Sequence, residues 1–363
     1  MGEPTAPQPK PRDRALDALR GFAIFGMVLA NMQGSEKDAF GFIRHAEWDG
    51  LTVADLVFPL FLLAVGLALP LTFDGRDPRP SIAKIVRRSA LLWLIGFGIG
   101  LLAHPSLNLV DIRFTGVLER IGIVYLICAL ICRETKNWRV PLGTAFGLMA
   151  VHGILLHTPP PGGFASMAQG EGMSAWLDRA ILGGTRLYGT TFDPEGVLST
   201  LSSIATTLLG LATQRILMRS KKPDAALIAI ALILGALAVG ALALWPLNKA
   251  LWTPSFALAN AAFGLALLAV LKLTWAWIGD SAPMRLTERL GQLALTLYVV
   301  HDLLTLALFV PIAGMKPWAL GFAALVATGM PLALASMLFA MIGGGLSMAI
   351  TLALAKRGWV LRV

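Results

Sequence analysis

Long apolar runs alternate with short polar ones along almost the whole chain. A segment of about 20 mostly apolar residues is enough to cross the hydrocarbon core of a bilayer. Such runs occur near 15–33, 51–72, 86–103, 116–132, 139–157, 197–214, 225–245, 251–272, 288–309 and 334–355. The pattern predicts an all-α integral membrane protein, a polytopic bundle of about ten transmembrane helices. Residues 312–333 are also apolar but contain Pro317 and Pro331. They read as a re-entrant or interfacial segment, with an eleventh span as the alternative.

The polar interruptions differ in sign. Basic clusters stand at Lys10/Arg12/Arg14, Arg76/Arg79/Lys84/Arg87/Arg88, Arg133/Lys136/Arg139, Arg215/Arg219/Lys221/Lys222 and Lys272/Arg285/Arg289. Alternation of spans puts them on one side, and the positive-inside rule makes that side the cytoplasm, with the N-terminus cytoplasmic. Lys356, Arg357 and Arg362 favour an even number of spans on the same argument. Residues 1–14, Pro-rich and basic, read as a disordered cytoplasmic tail, and 15–363 as one transmembrane domain. The first apolar stretch is not read as a cleaved signal, because Asp17 and Arg20 extend its helical pattern upstream. Loops 34–50, 104–115, 158–196 and 246–250 then face outward, and 158–196 is a long outer loop with one short amphipathic piece.

Composition agrees with the pattern. Of 363 residues, 56% are hydrophobic and only 14% charged, against about 25% charged in soluble domains. The net charge of +9 sits in short clusters between apolar runs, which argues for a lipid bilayer and not nucleic acid as the partner. Cys128 and Cys132 read as small core residues, and no metal site is expected without further Cys or paired His nearby. No internal repeat is evident, which weakens a transporter built from inverted repeats. Gly96 and Gly100 form one GxxxG, a spacing that serves either a homodimer face or close packing inside the bundle.

Charge inside a bilayer is costly and usually faces an interior cavity. Mapped on this topology, Asn31, His45, Asp55, Arg113, Arg120, Asp193, Glu195, Asn248, Lys249, Ser255, His301 and Asp302 gather toward the outer half of the membrane, the case for one polar chamber. Simpler roles stand beside this one. Glu195 suits the start of a helix, Asn248 and Lys249 suit interface anchors, and Trp48 and Trp252 suit an aromatic belt as well as a sugar face. Asp55, about one turn into a span, needs a partner, and His45 or an arginine is the nearest offer.

The strings "LDALRGFAIFGMVLANMQG" and "HAEWDGLTVADLVFPLFLLAVG" resemble the opening of the heparan-alpha-glucosaminide N-acetyltransferase-like family of transmembrane acyltransferases. "RFTGVLERIGIVYL", "FDPEGVLSTLSSIATTLLG", "LNKALWTPSFAL" and "YVVHD" follow in the same order, so the resemblance covers nearly the whole chain. It implies transfer of an acetyl group from cytoplasmic acetyl-CoA, used as a co-substrate, to the amine of glucosamine or a related amino sugar. Positive-inside bias and the absence of cysteine-rich outer loops suit a bacterial-type inner membrane. The resemblance implies catalytic roles for His45, Asp55 and Asn31. With location in the topology it makes Arg20, Arg87, Arg120, Arg289 and Ser255 candidates for holding acetyl-CoA, with Arg88 and Arg215 by location alone. Trp48, Asp49, Glu195, Asn248, Lys249 and His301 become candidates for the sugar. Two positions depart from the family pattern: Asp49 stands where Asn is frequent, and Leu293 replaces an amide.

Acyl transfer to an amine requires a base for the ammonium, a donor to the tetrahedral oxyanion and shelter from water. Histidine, with an ordinary pKa near 6.5, serves as the base. Asp55 would orient the ring, and an Asn31 donor would be worth about 3 kcal/mol. Direct transfer and an acyl-imidazole on His45 both remain open. The alternatives in function are O-acetylation of a cell-envelope glycan and transport of an amino sugar.

Overall fold

Each apolar run expected to cross the membrane folds as a helix or a pair of helices. The computed structural model describes residues 13–75, 79–104, 112–188 and 191–361, so most of the basic tail, Arg76 and Arg362 lie outside the described residues. The helices are α1 (Arg14–Asn31), α2 (Val53–Phe73), α3 (Ile82–Ala103), α4 (Val117–Glu134), α5 (Arg139–Leu156), α6 (Gly172–Leu182), α7 (Val197–Arg219), α8 (Pro223–Ala241), α9 (Pro254–Ile278), α10 (Ala282–Gln292), α11 (Ala294–Phe309), α12 (Pro317–Val326) and α13 (Leu332–Lys356). Among the described residues there is no strand, only isolated bridges at Asp49–Asn248 and Ile312–Met315. The short piece expected in the long loop is α6.

By length and composition, seven of these helices are apolar enough to cross a membrane: α2, α3, α5, α7, α8, α9 and α13. α10 and α11 add an eighth if taken as one span, but they meet at an angle of 82°, so the run 288–309 is not one straight helix. α1 and α4 fall short because they carry Arg14, Asp17 and Arg20, and Glu119, Arg120, Arg133 and Glu134. At about 27 Å each they are long enough for most of the bilayer core, and Asp17, Glu119 and Arg120 are buried by neighbouring helices. α12, of 10 residues, is about 15 Å long and cannot cross the core alone.

α7 and α2 form the centre and α3, α8 and α13 the periphery. The apolar windows of α7 and α2 are 83% and 67% buried, while those of α3 and α8 are 17% and 22% buried. Leu94, Leu102, Leu232, Ile233 and Met341 project outward from the peripheral helices, as a lipid-facing surface requires. Small residues set the central contact: a Cβ at Gly66 of α2 or Gly210 of α7 would collide with the other helix's backbone, the close approach that small residues permit in membranes.

Polar contacts show which helix ends meet. Arg215 at the end of α7 binds Asp74 at the end of α2 and the carbonyl of Cys132 near the end of α4. Arg14 at the start of α1 reaches Glu288 and the Gly279 carbonyl, Lys272 binds Asp13, and Arg219 donates to the Lys136 carbonyl. The described members of the basic clusters expected to share a side lie at one end of the bundle. The chain between α1 and α2, the start of α7 and the segment before α9 meet at the other.

Candidate active site

α2 starts at Thr52, whose extended backbone makes it the N-cap, and Asp55 is in the first turn. First-turn N–H groups lack intrahelical acceptors, so an acid there suits a helix start. Asp55 does this with one oxygen. Its Oδ2 accepts hydrogen bonds from Thr52 N (3.1 Å), Thr52 Oγ1 (3.0 Å) and Ala46 N (3.1 Å). Its Oδ1 lies 2.7 Å from His45 Nδ1. A carboxylate that is 1% exposed offers only acceptors, so Nδ1 carries the proton toward it and Nε2 keeps its lone pair. The helix-start role and the role of orienting a histidine are filled by the two oxygens of one side chain.

Lys249 completes the group from 204 positions away. Its Nζ stands 3.0 Å from His45 Nδ1, 3.3 Å from Nε2 and 3.6 Å from Asp55 Oδ1. Burial pushes the Lys249 ammonium below the ordinary lysine value, against the opposing pull of Asp55. Asn248, fully buried, fixes the approach. Its amide nitrogen donates to the Trp48 carbonyl (3.1 Å) and the Asp49 carboxylate (2.9 Å), and its oxygen accepts from Leu251 N (2.8 Å). Gly50 N donates to the Leu247 carbonyl. Asn248 and Asp49, both expected to touch a sugar, here staple two loops to each other.

Trp252 closes the same turn with φ of 51°, a left-handed conformation rare for a bulky residue. The turn sends Lys249 toward His45 and the indole inward. Trp252 is 1% exposed, packs edge-on against Phe58 and Phe256, and donates Nε1–H to Thr206 Oγ1. The expectation that it stacks on a sugar or sits in the aromatic belt is therefore corrected: it is core. Ser255, a candidate for acetyl-CoA, is also buried, and its hydroxyl donates to the Pro246 carbonyl at 2.8 Å. Trp48 is half-buried and donates Nε1–H to the Met167 carbonyl.

Two cavities lie within the bundle, and neither is lined by His45, Asp55 or Lys249. The smaller, about 280 Å3, runs between α1, α2, α4 and α11 with apolar walls that include Met27 and Phe58, and it has Arg20, Arg88 and Gln292 at the Arg-rich end. Arg88 lies over the Tyr125 ring. The larger, about 510 Å3, lies at the His45 end and is lined by Arg113, Glu119, Glu195 and Asp302. Val117 and Tyr298 line both, so the two spaces adjoin. Arg113 clamps Asp193 through two N–H bonds of 2.9 and 2.7 Å and also donates to Glu195 at 2.9 Å.

The remaining candidates are placed apart from His45. Asn31 ends α1 with an exposed side chain that makes no hydrogen bond among the described residues. Arg87 and Arg289 are exposed. Arg120 is 2% exposed, stacks on Trp252, and donates one Nη2 to Ser199 Oγ and the Gly196 carbonyl. It lines neither cavity. His301 is buried, with Nδ1 3.0 Å from Asp302 Oδ1. Arg215, named by location, is consumed by Asp74. Sequence reasoning missed Glu119 and Tyr298. Glu119 stands beside Arg120 in "GVLERI", where an acid in the first turn of a helix reads as ordinary dipole compensation.

Residues 12–239 match the family described as heparan-alpha-glucosaminide N-acetyltransferase, catalytic. The human protein named heparan-alpha-glucosaminide N-acetyltransferase (Homo sapiens) is 29% identical over 327 residues, covering 72% of this chain and 48% of the relative. The mouse protein of that name (Mus musculus) is 28% identical over 326 residues, with 72% and 49% covered. The chain spans about half the length of the curated relatives it matches. His45, Asp55, Glu119 and Glu195 fall within the family match and Lys249 beyond it. The chain belongs to the heparan-alpha-glucosaminide N-acetyltransferase catalytic family.

Proposed function

We propose that this protein is a transmembrane acyltransferase that moves an acetyl group from acetyl-CoA to the amine of glucosamine or a related amino sugar. The observation that carries the reading is the His45–Asp55–Lys249 group: an imidazole oriented by a buried carboxylate, its Nε2 accepting from an ammonium 3.3 Å away that leaves it free to take a proton once the ammonium turns to the oxyanion. The Arg-rich end is the cytoplasmic one on the positive-inside rule, and the membrane is an inner membrane facing acetyl-CoA. Its phosphates would stay near Arg20 and Arg88, while the acyl-bearing arm follows the apolar cavity toward Tyr298. The amino sugar would arrive from the His45 end.

His45 Nε2 takes a proton from the sugar's ammonium, which frees the nitrogen lone pair. The amine adds to the thioester carbonyl, and the Lys249 ammonium donates to the oxyanion that forms, in place of the Asn31 amide. Collapse breaks the C–S bond and keeps the new C–N bond. The nitrogen's surplus proton goes to the departing sulfur, giving the free thiol of CoA, and His45 returns its proton to solvent. Asp55 stays ionised and stabilises the imidazolium. Excluding water keeps these charges strong and the thioester from hydrolysis.

The test is to incubate the purified protein with labelled acetyl-CoA and a panel of amino sugars. We expect one acetyl group gained on the sugar and one free thiol released per transfer. Absence of thiol release with every amino sugar tried defeats the reading. Label retained on His45 in intact protein would redirect it to the acyl-imidazole route.

A further inference from the structure

The larger cavity contains a carboxylate that the reaction above does not use. Glu119 is 5% exposed, lines the cavity at the His45 end, and receives no hydrogen bond from any other residue among those described. Two glycines make room for it. A Cβ at Gly96 of α3 or at Gly116, just before α4, would collide with the Glu119 carboxylate, and both glycines line the same cavity. The carboxylate is thus seated between two glycines, with no donor from another described residue. A buried carboxylate without a cation of its own is costly in a membrane setting, and a cationic guest removes that cost.

The rest of the wall has the same sign. Glu195 and Asp302 join Glu119, against a single guanidinium, Arg113, which is committed to Asp193 and Glu195. His104 completes the polar lining. Phe192, three residues before Glu195, packs edge-on against Trp48, so this wall and the His45 loop lie at the same end of the bundle. We propose that the cavity is a cation site for the acceptor. It takes the ammonium form of an amine-bearing sugar, with Glu119 as the anionic partner. The proposal rests on the acetyl-transfer reading and deepens it. It also gives a reason for product release: acetylation turns the ammonium into a neutral amide, and the attraction to Glu119 ends with the reaction.

The experiment is equilibrium binding to the purified full chain in lipid nanodiscs at neutral pH, without acetyl-CoA. Glucosamine, glucose and N-acetylglucosamine are the probes. Glucosamine should bind at least tenfold tighter than either neutral sugar, and Glu119→Gln should abolish that preference while the thermal midpoint is kept or raised. Gly96→Ala, which fills the cradle with a methyl group, should weaken glucosamine binding as well. Equal binding of the three sugars, no glucosamine binding by the unaltered protein, or a preference that survives Glu119→Gln overturns the proposal. If the preference is present but no acetyl group is transferred, the site stands and the proposed reaction falls.

Discussion

At one end of the bundle charges are spent in separate couples; at the other, beside one such couple of Arg113 with Asp193, a single carboxylate is shared. Arg215 is buried and gives two hydrogen bonds to Asp74, its own dedicated carboxylate. Arg14 and Lys272 are similarly tied to Glu288 and Asp13. At the His45 end, one carboxylate serves a histidine, a lysine and a helix start together, and His45 and Lys249 stay partly exposed. Paired charges in separate couples hold helix ends in register. An imidazole and an ammonium sharing one acid keep capacity for a ligand, which is the arrangement expected where proton transfer takes place.

The contrast is sharpest at His45. Replacement His45→Ala should lower acetyl transfer by roughly 10^2–10^4, leave acetyl-CoA binding near its starting value and leave the melting midpoint almost unmoved. Transfer at the original rate would return His45 to an ordinary loop residue, and uptake of an amino sugar with no need for acetyl-CoA would favour a transporter.

Arg215→Met should do the opposite. It leaves Asp74 as an uncompensated carboxylate, which costs about 3–5 kcal/mol. The expected readout is a lower thermal midpoint in detergent, with KM for acetyl-CoA unchanged in the folded fraction. A raised KM with no loss of stability would mean that this arginine belongs to the acetyl-CoA site after all.

Lys249→Met tests whether the ammonium contributes to the transition state. We expect kcat to drop about 10^2–10^3, the usual loss of one oxyanion donor, with Lys249→Arg recovering part of it. A change confined to KM for the sugar would recast Lys249 as a binding residue.

Asp178 offers a smaller and pH-dependent test at the same end. It is buried, accepts a hydrogen bond from Val197 N at the start of α7, and burial pushes its carboxyl up from 3.8 to about 6. An acid with a raised value favours the fold when protonated. This contribution is therefore full below the ordinary value and is lost as pH rises from about 4 to about 6. Two units correspond to about 3 kcal/mol at most. Asp178→Asn keeps the acceptor and removes the charge, so its stability relative to the unaltered protein should rise across that window. Parallel pH curves for the two proteins would discard the assignment.

Much of this was legible beforehand in particular residues. The apolar runs announced the helices, because about 20 apolar residues in a row have no other stable place. Asp55 and His45 are 10 residues apart and flank a helix start, so their meeting is a local matter. Leu293 was not legible as a corner: "ERLGQLALTLY" contains no proline and reads as one continuous helix, yet the chain turns by 82° there. Trp252 was misread because an aromatic residue at a span edge looks like belt, and only the left-handed turn after Lys249 turns it into the core.

The sequence by itself determined that the chain folds as apolar helices, where the basic segments lie between them, and that Asp55 near the start of α2 needs a partner, with His45 or an arginine the nearest offer. These follow from sums over neighbouring residues: hydropathy, periodicity and capping. The tertiary structure alone decided that Lys249 reaches His45, that Arg215 is spent on Asp74, and that Glu119 faces a cavity between two glycines. Those outcomes depend on which helix ends are brought together. Coulomb and hydrogen-bond energies fall off within a few ångströms, and no local pattern records a distance across the bundle.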